Sequence, residues 1–166
     1  MRILIIGAVA AGTSAAAKAR RNNDQAEIVI YEKDRDISYS GCGLPYYIGG
    51  EVEDLDELTP RDPIFFKSKY NVDVMTGHKV LKIDTKSKEL TVKNLDTDEI
   101  FKDKYDKLII STGAVPFVPD VKGIDSNNLF VLRNVQDARN IKNYIDQIKP
   151  KHAVIAGTGF IGFEML

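Results

Sequence analysis

Cysteine is almost missing from this 166-residue chain: Cys42 stands alone, beside two histidines and no tryptophan. A single thiol excludes an internal disulfide. With His78 and His152 far apart, no pair or cluster suggests a metal site. Neither sign of charge dominates, since 23 Lys and Arg face 24 Asp and Glu, so a polyanion partner is not implied. Long apolar runs are lacking too, none approaching the roughly 20 residues of a membrane span. The opening run Ile3-Leu4-Ile5-Ile6 is too short for a signal peptide's apolar region and has no cleavage pattern behind it. These absences predict a soluble cytoplasmic protein with a reduced thiol, of the length of one domain or one and a part.

Glycine-rich turns are what the chain does have. Residues 2–6 read as a short buried strand of a parallel sheet. Gly7-Ala8-Val9-Ala10-Ala11-Gly12 is a turn, residues 13–21 an alanine-rich helix ended by Asn22-Asn23-Asp24, and residues 27–31 a second strand closing on Glu32. Such a strand, glycine turn, helix, strand and acid form the dinucleotide fingerprint. Its glycines let backbone approach a pyrophosphate at the helix N-terminus, and its acid hydrogen-bonds a ribose hydroxyl. Val9 departs from it by taking the place of the middle glycine. The competing reading is a tight turn that merely packs well. On the helix, Ala15, Ala16 and Ala19 allow close approach to a sheet. Ser14, Lys18 and Arg21 share one stripe, which is either a solvated face or a phosphate site.

Cys42 follows, within Ser38-Tyr39-Ser40-Gly41-Cys42-Gly43-Leu44-Pro45-Tyr46-Tyr47. Residues 39–48 read as a helix stopped by Gly49-Gly50. A sulfur at its start would meet unpaired backbone N–H groups and the positive end of the dipole, which favour thiolate. The alternative is a buried structural cysteine. A nucleotide signature on each side in sequence favours the reactive one. Tyr46 and Tyr47 are expected to pack the cysteine helix.

Downstream, residues 51–57 read as an acidic loop and 62–70 as a helix started by Thr59-Pro60. Residues 72–75 form a short apolar strand. Residues 78–84, 89–93 and 100–104 form an antiparallel meander, and 107–111 another buried strand leading into Thr112-Gly113-Ala114. A linker with Pro116, Pro119 and Gly123 precedes an amphipathic helix over 135–148. Residues 153–156 read as a strand before Gly157-Thr158-Gly159-Phe160-Ile161-Gly162, a second fingerprint with all its glycines in register. No strand with a ribose-binding acid follows, so the chain is expected to be a fragment. The position that separates NADH from NADPH would lie about 20 residues past Gly162.

Two fingerprints, the Cys42 stretch between them and Ser111-Thr112-Gly113 together resemble the pyridine nucleotide-disulfide oxidoreductase superfamily. These are flavoproteins that pass electrons from NAD(P)H through FAD to a cysteine. The resemblance spans the whole chain but only the N-terminal part of the family's length. It implies an α/β fold with a Rossmann-like FAD-binding domain (parallel sheet plus small antiparallel meander) over residues 1–113. A linker and helix over 114–150 would follow, then the truncated start of an NAD(P)-binding Rossmann domain over 151–166. Many disulfide reductases carry a second cysteine where this chain has Tyr47. The single-cysteine branch includes CoA-disulfide reductases, CoA-dependent persulfide reductases, NADH oxidases and NADH peroxidases. Cys42-Gly43-Leu44-Pro45-Tyr46 and Gly7-Ala8-Val9-Ala10 look most like the CoA-linked reductases, a branch that commonly departs from the middle glycine.

The resemblance also implies roles. Gly7 begins the FAD turn; Ala10, Ala11 and Gly12 would contact the pyrophosphate, Glu32 the adenosine ribose with Lys33 beside it, and Val80 the adenine through its backbone. Ser111, Thr112, Gly113 and Ala114 would line the flavin site, with Arg133 near it. Cys42 would be the redox nucleophile. Ser14, Lys18, Arg21, Ser38 and Lys69 match coenzyme A-binding positions, although Lys18 and Gly41 differ from the best-known pattern. Gly157, Gly159, Ile161 and Gly162 would begin the NAD(P)H site. The expected activity is NAD(P)H-dependent reduction of CoA disulfide or a CoA-bound persulfide by a homodimer. An NADH oxidase or peroxidase with a cysteine sulfenic acid is the alternative, and a non-catalytic nucleotide-binding fragment the reading from another class.

Overall fold

A computed structural model describes the whole chain, residues 1–166. Its contacts divide it into two units. The first holds Met1–Tyr39 and Thr59–Gly113, the second Ser40–Leu58 and Ala114–Leu166.

The first unit is built on a four-stranded, all-parallel sheet of β1 (Arg2–Ile6), β2 (Glu27–Tyr31), β3 (Asp73–Met75) and β7 (Lys107–Ile110), in the order β3-β2-β1-β7. Helix α1 (Ala11–Asn22) joins β1 to β2, and α3 (Pro63–Tyr70) precedes β3. Side chains alternate across β1. Ile3 and Ile5 join Ala16, Ile28, Ile30, Phe66 and Val74 in one core, with Ala15 and Ala19 packed against it. Leu4 faces the other way, with Val29, Tyr31, Leu90 and Val92. The inner strands β1 and β2 therefore read as continuous apolar runs because both faces are covered, whereas β7, expected to be buried, is an edge strand with Ile110 61% exposed. The second cover is the expected meander, β4 (His78–Asp84), β5 (Glu89–Asn94) and β6 (Ile100–Lys104), paired antiparallel. The register slips between Val80 and Lys82, a bulge.

A fork of charge fastens meander to sheet. The Arg2 guanidinium donates through Nε to Asp103 Oδ1 at 3.0 Å and through a terminal nitrogen to Oδ2 at 2.8 Å. The Tyr31 hydroxyl donates to the same Oδ2 at 2.6 Å, so β1, β2 and β6 meet at one carboxylate.

The helix around Cys42 is shorter than expected. Gly41–Gly43 form a 3-10 turn, and α2 covers only Leu44–Gly49, stopped by Gly50 in the left-handed region at φ +85°. Proline explains the difference. An α-helix through Gly41 would need an N–H at position 45 to bond the Gly41 carbonyl, and Pro45 has none. The Leu44 N–H bonds that carbonyl instead, in the tighter pattern. Likewise α3 starts at Asp62-Pro63, not at Thr59-Pro60. The Asp62 carboxylate accepts from the Phe65 N–H at 2.7 Å, an N-cap followed by proline at N1. The acidic loop contains a 3-10 turn, Leu55–Leu58, with both leucines buried.

In the second unit, helix α4 (Val135–Ile148) is closed by a capping box between Asn134 and Asp137. It contacts α2 and buries Val135, Ala138 and Ile141. Residues 153–156 form no strand. No other segment pairs with them, and without a ladder an apolar run stays irregular, with Val154 94% exposed. Helix α5 (Phe160–Glu164) follows the second glycine turn.

Candidate functional site

The first glycine turn sits at the carboxyl end of β1, between the ends of β2 and β7, where the direction of winding reverses and ligands of open α/β sheets bind. Gly7 has φ +103°. A Cβ placed there would lie 2.3 Å from the Ser111 carbonyl oxygen. One placed on Gly12 would lie 1.8 Å from the Gly7 oxygen. The two glycines thus let helix, turn and neighbouring strand close on one another. The Ser111 hydroxyl tightens the same point by donating to the Ile6 carbonyl at 2.7 Å. At the start of α1 no side chain caps the helix and no acid lies in the first turn. Its free N–H groups and exposed Ala10 and Ala11 suit an anion.

Glu32 is buried at 7% exposure. Its carboxylate accepts from the Ala8 N–H at 2.8 Å and from the Asp34 N–H at 3.0 Å. An ionised carboxylate has about four acceptor positions, so room remains for ribose hydroxyls. Ala8 passes the restraint on, since its carbonyl accepts from the Ser38 N–H at 2.9 Å, and Ser38 holds a left-handed φ of 50°. The Ala8 N–H escaped sequence reading because backbone groups carry no residue-type signal.

Of the cradle residues expected from sequence, the structure gathers Gly7, Ala10, Ala11, Gly12, Glu32 and Ser111 around the strand ends, and Ser38, expected to contact coenzyme A, joins them through Ala8. Lys33 is exposed beside Glu32, and Thr112 and Gly113 continue exposed from β7. Val80 pairs with Val92 at the edge of the bulge, where Leu81 drops out of the ladder.

Ser14, Lys18 and Arg21 are exposed along α1, and Lys69 is exposed on α3. Its ammonium lies 5.3 Å from the Phe65 ring centre and 5.8 Å from that of Tyr70. Arg20, which sequence reading passed over, joins the two helices, donating to the Tyr70 carbonyl at 2.8 Å and the Asn71 carbonyl at 2.9 Å.

The second unit carries the rest. Cys42 is exposed, which overturns the buried structural reading. Gly43 is tight, since a Cβ there would lie 2.4 Å from Leu58 Cδ2, whereas one on Gly41 would meet nothing. Tyr46 is itself exposed rather than packed. Ala114 and Arg133 are exposed as well. The second turn repeats the first: Gly157 has φ +127°, and a Cβ on Gly162 would lie 2.3 Å from the Gly157 oxygen. Gly159 and Ile161 fall within it, exposed. His152 is exposed outside any strand, while His78 is buried at the start of β4. No helix is long and apolar enough to cross a membrane.

A parallel sheet with a glycine cradle, a buried acid and a repeated glycine turn defines a dinucleotide-binding α/β protein. The pattern of the pyridine nucleotide-disulphide oxidoreductases matches residues 1–165, and the chain belongs to that family. It is 42% identical over 165 residues to the coenzyme A disulfide reductase of Staphylococcus haemolyticus, covering 99% of this chain and 37% of that one. It is 36% identical to an NADH oxidase of Methanocaldococcus jannaschii, again over 99% of this chain and 37% of the other. Among solved structures it superposes on the reduced Bacillus anthracis protein CoADR-RHD with a TM-score of 0.97 and 43% identity, over 99% of this chain and 30% of that one. The chain thus spans little more than a third of the curated relatives it matches.

Proposed function

We propose that this chain forms the FAD-holding and thiol-bearing part of an NAD(P)H-dependent reductase acting on CoA disulfide or a CoA-linked persulfide. The observation that carries the reading is Cys42: the only thiol of a chain 42% identical to a coenzyme A disulfide reductase is exposed to solvent.

FAD suits the residues present. The uncapped start of α1 offers N–H groups to a pyrophosphate, the Gly7 and Gly12 positions leave no side chain in the way, and Glu32 keeps acceptor capacity for a ribose. A bound flavin would supply the relay of two electrons from nicotinamide to sulfur. The chain's own thiol does the remaining chemistry. With no second cysteine, the Cys42 sulfur attacks one sulfur of the substrate disulfide and expels one CoA thiolate, leaving a mixed disulfide. Two electrons and a proton from NAD(P)H then cleave that bond, returning Cys42 and releasing the second CoA thiol. Ser14, Lys18, Arg21, Ser38 and Lys69 would hold the CoA phosphates and pantetheine, Arg21 by the bidentate geometry that suits phosphate. Gly157, Gly159, Ile161 and Gly162 would begin the nicotinamide dinucleotide site, and the working enzyme would be a homodimer.

CoA disulfide is expected to form an adduct at Cys42, seen as a mass increase of one CoA that dithiothreitol reverses and Cys42→Ser abolishes. Arg21→Ala should slow the adduct far more with CoA disulfide than with a small uncharged disulfide, since only CoA has phosphates to lose. The likeness to an NADH oxidase supports a second reading, in which peroxide oxidises the Cys42 thiolate to a sulfenic acid. A dimedone-reactive Cys42 with no CoA adduct decides for that reading.

A further inference from the structure

His78 shares with Thr13 and Glu32 the distinction of being buried and polar, yet neither catalysis nor ligand contact uses it. Its ring forms a three-ring cluster with Tyr31 and Phe101, with centroids 6.2 and 6.1 Å away and those two rings 6.2 Å from each other. Its Nδ1 is 2.8 Å from the Thr76 carbonyl oxygen. That oxygen can only accept, so Nδ1 carries a proton and donates. The bond closes the turn Thr76-Gly77-His78, which takes the chain from β3 into β4. The turn is tight: Gly77 has φ +67°, and a Cβ there would lie 2.9 Å from the Arg35 guanidinium.

This turn grips the segment that carries Glu32. The His78 N–H donates to the Glu32 carbonyl at 2.8 Å, the Glu32 N–H to the Met75 carbonyl at 3.0 Å and the Gly77 N–H to the Asp34 carbonyl at 3.4 Å. The Leu95 N–H, just past the end of β5, reaches the Gly77 carbonyl at 2.7 Å. Two residues beyond His78 lies Val80, at the edge of the bulge. His78 therefore links the segment that carries Glu32 to the strand that carries Val80. Its ring packs on Tyr31, the residue before Glu32, and on Phe101, which pairs with Val92 across the meander.

We infer that His78 is a positioning residue for the adenosine half of FAD. Its bond to Thr76 and its packing in the cluster with Tyr31 and Phe101 fix the turn that ties the Glu32 segment to the start of β4, and so place Glu32 and Val80 for one adenosine. The inference rests on the FAD reading of the cradle. It gives the buried histidine a task in affinity rather than in proton transfer, and it makes the flavin half of the ligand indifferent to the residue.

The test measures dissociation constants of the chain for FAD and for ADP, well below each variant's melting temperature so that only folded molecules report. His78→Phe keeps a ring beside Tyr31 and Phe101 and removes the donor. It should weaken FAD binding about tenfold and ADP binding by the same factor, the loss of roughly one hydrogen bond's discrimination. His78→Asn, whose amide can donate from the place of Nδ1, should recover most of both. Gly77→Ala strains the same turn without altering the ring and should weaken both ligands, which keeps the test open if His78→Phe does not fold. A lower melting temperature with unchanged dissociation constants overturns the inference, as does an Asn variant that binds no better than Phe. Glu32→Gln separates the two readings. FAD affinity equal to wild type in that variant, or a wild-type chain that binds no FAD, sinks the cradle reading itself.

Discussion

At Gly12 a single hydrogen atom decides whether the first turn exists. A methyl there would meet the Gly7 carbonyl oxygen at 1.8 Å, and backbone cannot step aside as the tip of a side chain can. Gly12→Ala is therefore expected to lower stability by about 3 kcal/mol or more, read as a fall in the urea midpoint. Gly41→Ala meets nothing within 4 Å and should stay within about 0.5 kcal/mol of wild type. Equal effects of the two would contradict the turn geometry. Gly12 and Glu32 were legible in the sequence because the fingerprint fixes residue types at fixed offsets. His78 and Arg20 were not. The partners of His78 are Thr76, Tyr31 and Phe101, and those of Arg20 include the Tyr70 and Asn71 carbonyls. Thr76 is a sequence neighbour whose backbone oxygen carries no residue-type signal, and only the tertiary fold brings the other partners together.

At the scale of elements, strands buried on both faces were legible as apolar runs, and α4 as a periodic stripe. Where the reading missed, a local hydrogen-bond rule had overridden the pattern: Pro45 cut the cysteine helix to its last turns, while α3 kept its expected span with Asp62 rather than Thr59 as its cap. For residues 153–156 the apolar pattern was present but no neighbouring strand pairs with it. The clasp of Arg2, Tyr31 and Asp103 joins elements that no local pattern links, and it leaves a pH signature. Burial, then the Asp103 carboxylate, push the Tyr31 hydroxyl well above the ordinary phenol range, while Arg2 acts in the opposite direction. The folded state holds this proton more tightly than the unfolded chain, which releases it near pH 10. The stability so contributed is intact below about pH 10 and is lost as pH rises toward the folded-state value. Tyr31→Phe should cost about 1–2 kcal/mol at neutral pH, where the hydroxyl donates to a carboxylate. Between pH 8 and pH 11 its urea midpoint should fall less than that of wild type. Parallel curves would show that Tyr31 ionises alike in both states.

At the scale of the whole chain, the two units differ in how they treat apolar surface. In the first, both faces of the inner strands β1 and β2 are covered. In the second, Phe117 and Phe160 are each 90% exposed and Leu166 is 91% exposed, with Val115 and Phe163 also open to solvent. Single exposed apolar residues are ordinary, but two short segments so rich in them, 115–117 and 160–166, suit contact with other protein. The relatives offer a context, since more than half of each lies outside the matched region. The chain by itself should therefore bind an apolar dye such as anilinonaphthalene sulfonate and associate as its concentration rises. Replacing Phe117 and Phe160 together by Ser should lower dye fluorescence and shift association to higher concentration. FAD affinity should not change, because Gly7, Gly12, Glu32 and Val80 belong to the first unit and neither Phe117 nor Phe160 is among the residues expected at the flavin. Dye binding that is indifferent to the double substitution would place the open apolar surface elsewhere. A loss of FAD affinity would show that the second unit contributes to the cradle.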